Sequence, residues 1–138
     1  MKIAIKSDVG QRRTVNEDAA GYFLNTQNVP MIVVCDGIGG HNAGDVASAM
    51  ALSHLGKRWE EESITDTEAA YQWLVKNIQA ENDRIFQKAN QYRELDGMGT
   101  TIVVAVVIGS ELLIANVGDS RAYLYRNYQL KQLTEDHT

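Results

Sequence analysis

The sequence predicts an α+β fold with antiparallel strands, on three observations. Strand-like segments near the N-terminus are joined by short links, as in an antiparallel sheet. Two amphipathic segments then follow one another directly, which reads as a helix hairpin. The last third is a succession of short apolar segments separated by Gly- and Asn-containing turns, as a β-meander requires.

Taken in order, Lys2–Asp8 alternates, with Ile3 and Ile5 on one face, and predicts a short strand. The polar stretch Gly10–Asp18 breaks that pattern, with Arg12 and Arg13 near one end and Glu17 and Asp18 at the other. Ala19–Leu24 predicts a second strand, Asn25–Pro30 a turn, and Met31–Cys35 a buried strand that ends in Asp36. Gly37, Gly39 and Gly40 follow. Glycine lets backbone approach a neighbour without a Cβ in the way, so this stretch fits a crowded site, and an Asp-Gly turn is the alternative reading.

A helix is expected from Gly44 or Asp45 to about Glu61, with Val46, Met50, Leu55 and Trp59 near one face and Ala47 and Ala51 beside them. A second begins at a Thr65 or Asp66 cap, and Thr65 followed by Glu68 has the capping-box spacing. Its buried stripe is Tyr71, Leu74, Ile78, Ile85, Ala89 and Tyr92, with Asn82 at a tolerated polar edge. After Asp96-Gly97-Met98-Gly99, Thr100–Ile108 is apolar on both faces and predicts a central strand covered on both sides. Leu112–Val117, Ser120–Tyr125 and Gln129–Leu133 complete the meander.

The 138 residues suit one domain, with no internal linker or repeat. A net charge of −5 and the lack of a basic stripe argue against nucleic acid as the main partner. No apolar run is long enough to span a bilayer and the N-terminus lacks a signal-peptide core, so the expected location is the cytoplasm. The single cysteine, Cys35, excludes an intrachain disulfide and is compatible with a reducing compartment.

Several phosphate motifs fail on inspection. Gly39–Gly44 has P-loop spacing, but Asp45 and Val46 stand where Lys and Ser/Thr are needed. Gly37-x-Gly39 is followed by Asn42 where a dinucleotide fingerprint requires glycine. Cys35 lies among apolar neighbours, which disfavour a thiolate nucleophile. Oxygen chemistry remains. Glu17, Asp18, Asp36 and Asp119 fall at strand ends or turns, and if their strands are neighbours the side chains converge at one rim of the sheet. Carboxylates with a backbone carbonyl suit Mg²⁺ or Mn²⁺, and Arg12 or Arg13 can clamp a phosphoryl group. The alternative is that these acids are solvated turn residues and the arginines form surface ion pairs.

Together, Arg13-x-x-Asn16-Glu17-Asp18, Asp36-Gly37-Ile38-Gly39-Gly40-His41, Gly97-Met98-Gly99-Thr100-Thr101, Asn116-Val117-Gly118-Asp119-Ser120-Arg121 and Leu133-Thr134-Glu135-Asp136-His137 resemble successive motifs of the metal-dependent PP2C (PPM) protein phosphatases. The bacterial serine/threonine branch is the nearest match. The resemblance implies an α-β-β-α sandwich of antiparallel sheets, of which this chain supplies one helix pair and part of both sheets. It implies that residues 1–138 are a single partial domain lacking its C-terminal part, whose later aspartates complete the metal site. By the same resemblance Asp36 is shared between two Mn²⁺ or Mg²⁺ ions and the Gly37 carbonyl is a further ligand. Glu17 and Asp18 reach the metals partly through water, Asp119 holds a third ion, and Arg13 binds phosphate.

The implied reaction is direct attack of metal-bound hydroxide on phosphoserine or phosphothreonine, without a phosphoenzyme. Ile38 stands where animal members carry a histidine proposed as general acid, so leaving-group protonation must come from water or another group. Phosphorylated proteins and a cognate Ser/Thr kinase are the implied partners. A partial domain exposes an apolar sheet face and open edges, so self-association is expected. The competing reading is a non-catalytic fragment of the same fold that binds a cation or phosphopeptide.

Overall fold

The computed structural model describes residues 18–39, 43–116 and 121–133. The strand expected at Lys2–Asp8 lies outside them. The described elements are β1 (Asp18–Leu24), β2 (Pro30–Ile38), α1 (Ala43–Glu60), α2 (Thr67–Gln91), a short 3₁₀ turn (Arg93–Leu95), β3 (Gly99–Ile108), β4 (Glu111–Asn116), β5 (Arg121–Arg126) and β6 (Gln129–Gln132).

All six strands join one antiparallel sheet in the order β1-β2-β3-β4-β5-β6, each beside its neighbours in sequence. Among the described residues no strand belongs to a second sheet. Short links account for the β1–β2 pair and for β3 through β6, because hairpin connections can only join antiparallel neighbours, while β2 and β3 pair across the α1–α2 excursion. Asn127 and Tyr128 both take positive φ, 53° and 62°, as a two-residue hairpin turn matched to strand twist demands.

Side chains alternate across the sheet. Met31, Val33, Cys35, Ile102, Val104, Val106, Leu113 and Ala115 are buried in a core with residues of α1 and α2. The opposite face carries Tyr22, Val34, Val103 and Tyr125, all exposed. β3 is therefore central in the sheet but covered on one face only among the described residues, with Val103 38% exposed. Its apolar second face anticipated a cover that no described element provides.

α1 lies across β1, β2 and β3, and α2 packs beside it and reaches β3 and β4. The two helices run antiparallel, since His54 meets Glu81, Arg58 Nη1 donates to Asn77, and Trp59 stacks edge-on against Trp73 with ring centroids 5.0 Å apart. Trp59 Nε1 donates to the Val29 carbonyl at 2.9 Å, tying the far end of α1 to the start of β2. Asn25 closes the same end. Its side chain donates to the Ile64 carbonyl and accepts from the N–H groups of Gln27 and Val29.

The helix ends differ in detail from the sequence reading. The N-cap of α2 is Asp66, whose carboxylate accepts from Ala69 N at 2.8 Å, so the Thr65/Glu68 capping box is not what starts the helix. Aspartate caps as well as threonine and stands one residue nearer the helix. Tyr92 lies beyond the helix with extended backbone and is exposed, because α2 stops at Gln91. Asn82 is exposed, as expected of an edge position, whereas Glu81 beside it is fully buried.

Candidate metal centre at the end of β2

β2 continues to Ile38, so Asp36 and Gly37 lie inside a paired strand and not in an Asp-Gly turn. Asp36 stands opposite Asp18 of β1 on one side and Thr101 of β3 on the other. Directly opposed residues share a face of a sheet, with Cβ atoms roughly 5 Å apart. Two carboxylate-bearing residues are thus side by side on the face away from the helices, where Asp36 is exposed. Like charges directly opposite destabilise a strand pair, and a cation held between them reverses that sign. The donor set is oxygen only, which fits Mg²⁺ or Mn²⁺ and disfavours softer metals.

The glycines after Asp36 follow from packing. A Cβ on Gly37 would fall 2.1 Å from the Gly44 carbonyl oxygen, so the first turn of α1 presses directly on β2 there. Gly39, with φ at 137°, lies in a region that favours glycine and carries the chain from β2 toward α1 between Ala43 and Met98. The start of α1 is therefore locked to the strand that carries Asp36.

Threonines 100 and 101 frame the same residue from β3. Asp36 N–H donates to Thr101 Oγ1 at 3.3 Å, and Thr100 Oγ1 donates to the Asp36 carbonyl at 3.2 Å. Cys35, next along β2, points to the opposite, buried face. Burial, helped by the nearby Glu81 carboxylate and opposed by a Thr100 hydrogen bond, pushes its thiol from 9.0 up to about 12. A thiol so protonated is no nucleophile, in agreement with its apolar sequence context.

Of the residues singled out from the sequence, the structure brings Asp18 and Asp36 together with Gly37 at one end of the sheet. Arg13, Glu17 and Asp119 lie outside the described residues. Glu17 directly precedes Asp18. The segment holding Asp119 is flanked by Asn116 and Arg121, which face each other at the same end of the sheet as Asp36, Asn116 also standing opposite Val103. Among the described residues no three His, Cys, Asp or Glu side chains gather as a complete metal site.

Two features carried no role in the sequence reading. The threonines were visible only as part of a motif, although they are the only polar side chains in β3. Glu81 was missed altogether. Fully buried in α2, it accepts from Arg84 Nη1 at 3.0 Å and pairs with His54 Nδ1 of α1 at 2.7 Å. Its position within the apolar stripe, three residues after Ile78, is the one signal that marked it.

Comparison with known proteins gives this geometry a setting. The pattern of the family described as "Protein phosphatase 2C" matches residues 12–138. A serine/threonine phosphatase stp of Listeria monocytogenes is 47% identical over all of this chain and 55% of its own length. Protein phosphatase PhpP of Streptococcus pneumoniae is 38% identical, over 100% of this chain and 56% of its own. Among solved structures, the serine/threonine phosphatase Stp1 of Staphylococcus aureus superposes with a TM-score of 0.78 at 45% identity, over 96% of this chain and 52% of that one. The catalytic domain of the phosphatase PstP in complex with two manganese ions gives 0.66 at 34% identity, over 95% and 54%. The chain spans about half the length of the curated relatives it matches. With the family pattern matched from residue 12 to 138 and relatives of 38–47% identity covering the whole chain, the chain belongs to the protein phosphatase 2C family.

Proposed function

We propose that residues 1–138 form one part of a single metal-dependent phosphatase domain acting on phosphoserine and phosphothreonine in proteins. The observation that supports it best is the register pair Asp18 and Asp36, two acids at directly opposed positions of neighbouring strands. Bound Mn²⁺ or Mg²⁺ would polarise the phosphoryl oxygen and lower the pKa of water. Asp36 and the Gly37 carbonyl would hold the ions, with Asp18, Glu17 and Asp119 as further ligands. Arg13 would grip the phosphate through its planar fork. Ile38 offers no proton, so the leaving alkoxide takes one from water or from a group outside these residues.

In this reading the partners are phosphorylated proteins and a Ser/Thr kinase that opposes the enzyme, and the site of action is the cytoplasm. No described helix is long and apolar enough to cross a membrane. The 138-residue chain is expected to turn over little substrate alone, since relatives are nearly twice as long.

The test is p-nitrophenyl phosphate hydrolysis with Mn²⁺, by this chain and by a version extended to the relatives' length. Turnover by the longer chain that falls to background in Asp36→Ala and in EDTA is the expected result. Turnover indifferent to both would overturn the reading.

A second reading rests on the chain's spanning about half the length of the curated relatives it matches. In it, this chain binds a cation or phosphopeptide without catalysis. Asp36-dependent Mn²⁺ binding with no turnover, even in the longer chain, would favour it.

A further inference from the structure

β3 has the sequence GTTIVVAVVI, and apart from Thr100 and Thr101 every side chain in it is aliphatic or absent. Those two hydroxyl residues occupy the register positions opposite Gly37 and Asp36. The backbone they face needs support. β2 ends at Ile38, and Gly37 adds conformational freedom where a ligand-bearing residue must be held to about 0.5 Å. Thr101 Oγ1 accepts from the Asp36 N–H at 3.3 Å, and also lies 3.5 Å from the Asp36 carbonyl. Thr100 Oγ1 lies 3.2 Å from the Asp36 carbonyl and 2.8 Å from the Thr101 carbonyl, and its hydroxyl also bonds the Cys35 side chain, so its single proton is shared among these partners. Consecutive strand residues point to opposite faces, so the two hydroxyls reach the Asp36 main chain from both sides of the sheet.

Building on the metal-centre reading, we propose that Thr100 and Thr101 are positioning residues that fix the Asp36–Gly37 main chain so that the Asp36 carboxylate and the Gly37 carbonyl meet a cation together. Neither threonine touches the ion. Their role is to make the two donors rigid with respect to each other, which raises affinity by removing the cost of ordering them.

The test replaces each threonine, and both, by valine, with Thr100→Ser and Thr101→Ser retaining the hydroxyls. Valine suits a strand as well as threonine does, so the sheet should persist. Free Mn²⁺ is counted by electron paramagnetic resonance to give a dissociation constant, alongside exchange of the Asp36 amide hydrogen and the thermal midpoint. The double valine variant should bind Mn²⁺ about tenfold more weakly and exchange the Asp36 amide faster. The serine variants should recover most of the affinity. Wild-type affinity in the valine variants, with Asp36→Ala abolishing binding, overturns the positioning role and leaves the metal centre standing. Loss of affinity in step with loss of fold, not restored by serine, also overturns it. A chain showing no Asp36-dependent Mn²⁺ binding removes both.

Discussion

Gly37 concentrates the relation between sequence and site in one residue. Its lack of a side chain was readable as a close approach, but the partner, the Gly44 carbonyl of α1, was not, because sequence spacing does not say which backbone arrives. Gly37→Ala places a methyl against main-chain atoms that cannot rotate away. The expected cost is about 1–3 kcal/mol, read as a lower urea midpoint. One residue earlier, the Cys35 thiol should resist a disulfide reagent in the native chain and react at once in denaturant. Its raised pKa, about 12 against 9.0, also fixes the sign of its contribution to stability with pH. That contribution is whole below about 9 and disappears as pH rises through 12, since the unfolded thiol ionises first. Alkaline titration of the urea midpoint checks it. Asp36 was legible because a carboxylate closing an apolar run is conspicuous. Asp18 was legible as an acid, while its register with Asp36 emerged only from the folded sheet.

At the scale of elements, the two helices are joined by a charge as well as by their apolar stripes. Glu81 sits at 0% exposure between His54 of α1 and Arg84 one turn along α2. A buried carboxylate that loses a partner keeps its desolvation cost. His54→Ala should therefore destabilise the chain by about 1–2 kcal/mol, a value discounted because the imidazole is partly solvated. Glu81→Leu should cost less than that substitution of its partner, since it removes the buried charge itself, and comparing urea midpoints of the two variants tests the ordering. Asp66→Ala should cost about 1 kcal/mol through the lost cap. Helix periodicity revealed where these elements lie to within a few residues. It did not reveal the pairing, because His54 and Glu81 belong to different helices and meet only when the hairpin closes. The same limit explains why β2 was read three residues short. Asp36 and Gly37 disfavour strands by themselves, and their pairing with β3 overrides that preference.

Across the whole molecule, the two faces of the described sheet differ. One face is buried by α1 and α2, and the other presents Tyr22, Val34 and Val103 at 44%, 45% and 38% exposure. We expect this chain to self-associate through that face as concentration rises. Sedimentation equilibrium should show it, and Val103→Lys should shift the population toward monomer; a wild-type monomer at high concentration would count against the idea. The α+β class, the β1–β2 hairpin and the C-terminal meander were legible because short links leave few alternatives, whereas the β2–β3 pairing across the helices was not. That the described strands form a single sheet was not, since hydrophobic alternation says which residues turn inward but not how many layers lie outside.

The placement of the indoles has an optical consequence. Both tryptophans of the chain, Trp59 and Trp73, are stacked on each other near the α1–α2 connection, where Trp59 is bonded to Val29 at the opposite end of β2 from Asp36. From Gly44 to Trp59 the rise along α1 is ~22 Å. Their emission will follow denaturation faithfully, yet ions arriving beside Asp36 should leave it dark to the spectrometer. A flat Mn²⁺ titration by intrinsic fluorescence is the expected signal of an occupied site as much as of an empty one, and a reporter for this fold has to be installed at the other end of the sheet.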